Sequence, residues 1–297
     1  MAKNNPVQSA KDPLEIVQAL DRYNYVADEE FATALFLLLN LRKPLLLEGP
    51  PGVGKTEIAL VLSQLLNTKL IRLQCYEGLD INSSVYEWNY QKQLLGIKLQ
   101  EGSNLSVAEK EKHIFGTDYL LQRPLLQSIS ETEQSPVLLI DELDRSDEEF
   151  EAFLLELLSA FQISIPEVGT IKAKHKPYVV LTSNRSRELS DALKRRCLYY
   201  WIDYPDLDKE MTIVKKRLPG IEQELLKQVV DFVQELRKRK LSKIPGVSET
   251  MDWAESLMAL GYREINSRAF EQTLGAVLKS SDDIQQVKQE GMGAFTN

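Results

Sequence analysis

Eight consecutive residues, Gly49, Pro50, Pro51, Gly52, Val53, Gly54, Lys55 and Thr56, fit the pattern G-x-x-x-x-G-K-[ST] in full. That spacing serves triphosphate chemistry. Glycines let backbone N–H groups turn toward phosphate oxygens, where side chains would block the approach. A helix opening at the end of the loop adds its unsatisfied N–H groups and the positive end of its dipole. Lys55 then reaches the β- and γ-phosphates, and the Thr56 hydroxyl ligates Mg²⁺. The apolar run 44–48 before the loop supplies a strand, and Ile58, Leu60, Val61 and Leu65 after it supply a helix.

Three further groups of residues could complete such a site. Val137 to Ile140 form a buried strand that ends in Asp141 and Glu142. In open parallel sheets ligands bind at that end of the strands. Asp141 suits the Mg²⁺ shell, and Glu142 suits orientation and deprotonation of an attacking water. A plain acidic turn is the alternative, since Asp144, Asp147, Glu148 and Glu149 follow. The run 179–183 ends in Asn184, whose amide could bond the water or the γ-phosphate, although taken alone an Asx turn is the simpler account. Lys194, Arg195 and Arg196 end a short helix. They either offset its dipole or supply a guanidinium to a neighbouring subunit's ATP.

Positioning these groups takes a sheet. Five apolar runs, 44–48, 69–75, 136–141, 178–183 and 198–203, read as strands separated by helical or irregular stretches. Continuous Val, Ile and Leu fits a parallel sheet covered on both faces. Phe150, Phe153, Leu154, Leu157, Leu158 and Phe161 recur at helical spacing. Residues 162–166 and 170–173 flank Val168 and Gly169 as a short hairpin. Asp28 opens a helix that ends before Pro44. After Pro205 the strand signals stop, and helices are expected over 208–218, 221–240, 248–260 and 267–278. The expected fold is α/β, a P-loop NTPase with a five-stranded parallel sheet core followed by a small all-helical lid. The expected divisions are an N-terminal extension at 1–25, an α/β nucleotide-binding domain at 26–204, the lid at 205–285 and a tail at 286–297.

Composition narrows the function classes. The 297 residues carry 36 Lys and Arg against 44 Asp and Glu, a net charge of −8 with a pI near 5.1. That balance argues against broad binding to nucleic acid or anionic membrane. Two cysteines, Cys75 and Cys197, form neither a metal spacing nor a disulfide framework. The N-terminus has no apolar signal core, and no apolar run approaches the ~20 residues of a membrane span. The reading is a soluble cytoplasmic protein. The basic run 237–240 reads as a solvated helix end. His113 and His175 read as surface or loop residues, and Trp88, Trp201 and Trp253 as core.

The order of Gly49–Thr56, Asp141–Glu142, Asn184 and Arg196 resembles that of the AAA+ ATPases over roughly residues 25–280. There these elements are Walker A, Walker B, sensor 1 and the arginine finger. The hairpin before the sensor-1 strand and the long segment after the second strand are similar to those of the MoxR family. The stretches 72–80, 85–90 and 245–254 look like its CoxD-type subgroup. The resemblance implies a hexameric, homo-oligomeric ring that hydrolyses ATP with Mg²⁺ between subunits and works on a client protein. A partner with a von Willebrand A domain and maturation of a metal-containing enzyme are implied as well. It maps the finger to Arg196, with Arg195 as fallback, and adenine contacts to Tyr25, Val26 and Ala27. Gln74 matches a polar switch that restrains the Walker B glutamate. One departure is Glu249, a carboxylate where many AAA+ lids carry a sensor-2 arginine. A non-hydrolysing ATP-gated scaffold and a nucleic-acid motor or loader are the competing function classes.

Overall fold

The computed structural model describes residues 11–101 and 106–295. Residues 1–10 of the expected N-terminal extension and the last two of the expected tail lie outside the described residues. In chain order the elements begin with α1 (Pro13–Asp21), α2 (Glu29–Leu41), β1 (Leu45–Glu48), α3 (Glu57–Leu65) and β2 (Leu70–Gln74). Next come α4 (Ile81–Ser84), β3 (Tyr86–Trp88), α5 (Tyr90–Leu99), α6 (Val107–Ile114), β4 (Leu120–Gln122) and α7 (Pro124–Ser130). Then follow β5 (Val137–Asp141), α8 (Glu148–Ala160), β6 (Gln162–Ile165), β7 (Gly169–Lys172), β8 (Tyr178–Ser183), α9 (Asp191–Lys194) and β9 (Leu198–Trp201). Five helices close the chain: α10 (Leu207–Arg217), α11 (Gln223–Arg237), α12 (Val247–Ala259), α13 (Ser267–Val277) and α14 (Ser281–Glu290).

The chain divides into two compact units. The first holds residues 11–16, Glu30–Glu48 and Ala59–Tyr200, and the second holds Val17–Glu29, Gly49–Ile58 and 201–295.

In the first unit the five-stranded parallel sheet runs in the order β2, β5, β8, β1, β9. Strands β5 and β8 are buried at every position, as their unbroken Val, Ile and Leu require. β2 differs. Its buried residues alternate with Leu70, Arg72 and Gln74, because it is an edge strand with one polar face. Register places Gln74 beside Asp141 and Glu48 beside Ser183, so the carboxyl ends of these strands lie level. Helix α8 begins where the Asp147 carboxylate accepts the Phe150 N–H at 2.8 Å, and it buries Phe150, Leu154, Leu157 and Leu158 against the sheet core. The hairpin β6–β7 forms as expected, antiparallel, with Ile165 opposite Gly169 at its turn. A second two-stranded ribbon, β3–β4, has no counterpart in the sequence reading.

The second unit buries Val229, Val230, Phe232, Val233, Leu236, Trp253, Phe270, Leu274 and Phe295 in one cluster. Phe232 is the hub, with ring centroids 4.9 Å from Trp253 and 4.8 Å from Phe295. Helix α14 runs across residue 286, where a tail was expected, and Phe295 is 2% exposed.

Two expectations about exposure are overturned. Trp201 is 39% exposed, because it ends an edge strand whose alternate residues face outward. Arg237 does not share the solvated end of the basic run. Its side chain is 7% exposed and forms a two-pronged ion pair with fully buried Glu210, at 2.6 and 2.7 Å. Gln234 and Thr250 complete that carboxylate's hydrogen bonds, each at 2.7 Å. A buried carboxylate is tolerated when it is paired and satisfied in this way.

Candidate active site

The phosphate loop leaves β1 through Gly49 and belongs to the second unit. Its glycines stand at φ of 156°, 74° and 90° for Gly49, Gly52 and Gly54. The latter two values lie in the region that side chains rarely adopt. At Gly49 space is decisive, since a Cβ there would fall 2.0 Å from the Ile202 carbonyl oxygen. Lys55 is buried, and its ammonium donates to the Gly49 and Pro50 carbonyls at 2.7 and 2.6 Å. The cation is thereby drawn into the loop. Thr56 follows, exposed, at the mouth of α3. Pro50, Pro51 and Val53 complete the turn.

Tyr25 sits beside this loop, with its hydroxyl 3.5 Å from the Gly54 carbonyl, whereas Val26 and Ala27 are half-buried in the α1–α2 connection. The start of α12 also packs on the loop. Ser248 N–H donates to the Gly52 carbonyl at 3.2 Å, and a Cβ on Gly246 would fall 2.7 Å from the Pro51 oxygen. Glu249 spends its carboxylate locally, accepting the Gly246 N–H at 2.8 Å and the Ser248 hydroxyl at 3.1 Å. The carboxylate at the sensor-2 position thus caps α12.

The carboxylates belong to the first unit. Asp141 is buried, and its Oδ1 accepts the Thr182 hydroxyl at 2.6 Å while Oδ2 accepts Arg72 Nη2 at 2.6 Å. Glu142 is held in the left-handed region at φ 53°, ψ 48°, which costs on the order of 1–3 kcal/mol and needs anchoring. Its N–H donates to Thr182 Oγ1 at 2.9 Å. Gln74 Nε2 and Arg145 Nε each lie 3.0 Å from its Oε2. Gln74 therefore touches the glutamate it was matched to.

Asn184 is fixed by its backbone. Asp144 accepts the Asn184 N–H at 3.1 Å, the Ser186 N–H at 2.9 Å and the Ser186 hydroxyl at 2.6 Å. Burial opposes ionisation of Asp144, but these donors outweigh it and hold the carboxyl below its ordinary value. Among the described residues the Asn184 side-chain amide makes no hydrogen bond. Arg196, exposed, donates to Ser159 Oγ at 2.6 Å and to the Ala192 carbonyl at 2.9 Å, so in the single chain it caps α9. Arg195 is exposed beside it. Burial pushes the Cys75 and Cys197 thiols up to about 12, and the Asp141, Asp144 and Glu142 charges add to the effect at Cys75.

Sequence reasoning missed Arg72, Asp144, Thr182 and Gly246. Arg72 left a signal: with Gln74 it forms a polar pair at period two inside an otherwise apolar strand.

Residues 44–197, just over half of the chain, match the family described as AAA domain (dynein-related subfamily). Uncharacterized protein SH1500 of Staphylococcus haemolyticus is 28% identical over 240 residues, 79% of this chain and 81% of its own. Uncharacterized protein SAB1265c of Staphylococcus aureus is 29% identical over 229 residues, 75% and 77% of the two chains. Among solved structures, a mutant RuvB of Thermotoga maritima gives a TM-score of 0.48 at 20% identity, covering 90% of this chain and 72% of that one. The Thermotoga maritima RuvB Holliday junction branch migration motor gives 0.46 at 18%, covering 91% and 72%. The chain belongs to the AAA domain family, dynein-related subfamily.

Proposed function

We propose that the chain is a Mg²⁺-dependent ATPase that remodels or activates a client protein from within a homo-oligomeric ring. The observation that carries this reading is the phosphate loop: glycines at dihedrals closed to side chains, with a buried Lys55 ammonium drawn inward. Its backbone and Lys55 hold the phosphates. Among the described residues no three His, Cys, Asp or Glu side chains could hold a metal unaided. Asp141 and Thr56 suit Mg²⁺, which keeps several waters and shares phosphate oxygens. When bound, the ion neutralises developing charge on those oxygens. Glu142 orients and deprotonates water, and the Asn184 amide steadies it. Arg196, or Arg195 in its place, reaches a neighbouring subunit's nucleotide. Tyr25 and Val26 are the candidate adenine contacts, and helices 205–285 act as the lid.

The finer assignment rests on the resemblance to the MoxR family and its CoxD-type subgroup. It adds a hexameric ring, a cytoplasmic location, a von Willebrand A domain partner and maturation of a metal-containing enzyme. The hairpin β6–β7 and the segment 76–100 transmit motion to the client. Among the described residues no helix is long and apolar enough to cross a membrane. A second reading, an ATP-gated scaffold with little hydrolysis, is favoured by the ties of Glu142 to Gln74 and Arg145. The net charge of −8 weighs against a nucleic-acid motor.

Comparing wild type with Glu142→Gln tests the reading. The variant retains nucleotide binding, loses turnover and holds its client in the presence of ATP. Equal inertness of both proteins would favour the scaffold, and stimulation of turnover by DNA or RNA would revive the motor.

A further inference from the structure

Arg72 stands at the one polar face of an edge strand, opposite the buried Ile71 and Leu73. Its Nη2 group has two hydrogens, and both are spent. One goes to Asp141 Oδ2 at 2.6 Å and the other to Gln74 Oε1 at 2.7 Å. Gln74 turns its other end, Nε2, to Glu142 Oε2. One guanidinium therefore holds the first carboxylate directly and the second through a single amide. The partners are unequal: the Asp141 side chain is 2% exposed and that of Arg72 is 52% exposed.

The two oxygens of Asp141 differ in what they can give up. Oδ1 is bound by Thr182, whose hydroxyl also anchors the strained Glu142 backbone. Releasing it would free the left-handed turn. Oδ2 is bound by a half-exposed side chain that can swing into water, provided that another cation takes its place beside the buried carboxylate. A divalent cation at Oδ2 would repel a guanidinium bonded to the same atom, so the two compete for it.

We propose that Arg72 is a positioning residue that acts as a metal-sensitive latch. It occupies Asp141 Oδ2 while no divalent ion is present, and through Gln74 it keeps Glu142 turned aside. When Arg72 yields that oxygen to Mg²⁺ arriving with a nucleoside triphosphate, Gln74 loses its support and Glu142 is left to its solvent-exposed pair with Arg145, the weaker restraint. This inference rests on the ATP reading above.

The test is a Mg²⁺ titration of the binding of a fluorescent ATP analogue to the full chain. Arg72→Met reaches half of the Mg²⁺ effect at a three- to tenfold lower Mg²⁺ concentration than wild type. Arg72→Lys, which keeps the charge, stays within twofold of wild type. Gln74→Ala leaves the Mg²⁺ midpoint in place but raises unstimulated turnover, because it cuts the latch after Asp141. If Arg72→Met melts early and cannot be titrated, Arg72→Gln shows the same direction of shift. An Arg72→Met or Arg72→Gln midpoint equal to or above that of wild type overturns the latch alone. A wild type that binds no analogue at any Mg²⁺ concentration overturns the ATP reading and the latch with it.

Discussion

Replacing Gly246 by alanine probes the contact between the phosphate loop and α12. The backbone there, at φ −86° and ψ −173°, accepts any residue, so the effect is one of space. An added Cβ would meet Pro51 O at 2.7 Å, Gly52 Cα at 2.9 Å and Gly52 C at 3.0 Å, all of them backbone. Moving Pro51 O out to 3.4 Å opens the contact by about 0.7 Å. The Ser248 N–H bond to the Gly52 carbonyl, already 3.2 Å, would be lost. Overpacking costs about 1–3 kcal/mol and the hydrogen bond about 1 kcal/mol more. Together these lower the melting temperature by about 5–10 °C, and nucleotide affinity falls with it. Gly275→Ala is the control. It lies in α13 with nothing within 4 Å, so alanine there stabilises by about 0.5–1 kcal/mol. Calorimetry and nucleotide titration of both variants decide the matter. A Gly246→Ala protein that melts and binds nucleotide like wild type would refute the close packing.

Three other outcomes follow from the same structure. Arg237→Met leaves Glu210 buried without its counter-ion and destabilises by about 3–5 kcal/mol in urea unfolding. Adding Glu210→Leu recovers most of that loss. Asp144→Asn removes a carboxylate whose folded value lies below the ordinary one, so the lost stability is present at neutral pH. The gap to wild type narrows as the pH falls below about 4 and the carboxyl of the native protein protonates. Native Cys75 and Cys197 react slowly with a thiol reagent at pH 8 and quickly after unfolding, since burial pushes both up to about 12.

The parts of this protein that were legible in its sequence are those that one physical rule dictates. The four strands β1, β5, β8 and β9 announce themselves by unbroken apolar runs, and the phosphate loop by glycines that nothing else can replace. Paired strands of three residues, as in β3–β4, are too short to carry a period. Helix α1 fell within a stretch read as an extension. Arg237 was hidden by reading 237–240 as one basic block. Counted on the helical period it falls in line with Leu226, Val230 and Val233, on the buried face. Glu249 stands out in the sequence as a carboxylate where a sensor-2 arginine is common. Its position three residues after Gly246 also spells a cap, and the hydrogen bond to the Gly246 N–H makes that the role it fills here. The network of Arg72, Asp144 and Thr182 depends on which strands become neighbours, and register is not written in any one segment.

The most direct test of the central claim is calorimetric titration of ATP with Mg²⁺ into wild type and Lys55→Ala. A charge-assisted hydrogen bond contributes about 1.5–3 kcal/mol, so the variant should bind on the order of 10–100-fold more weakly. The account predicts saturable binding by wild type and that loss in the variant. No binding by wild type, or equal affinity in the two proteins, would contradict it.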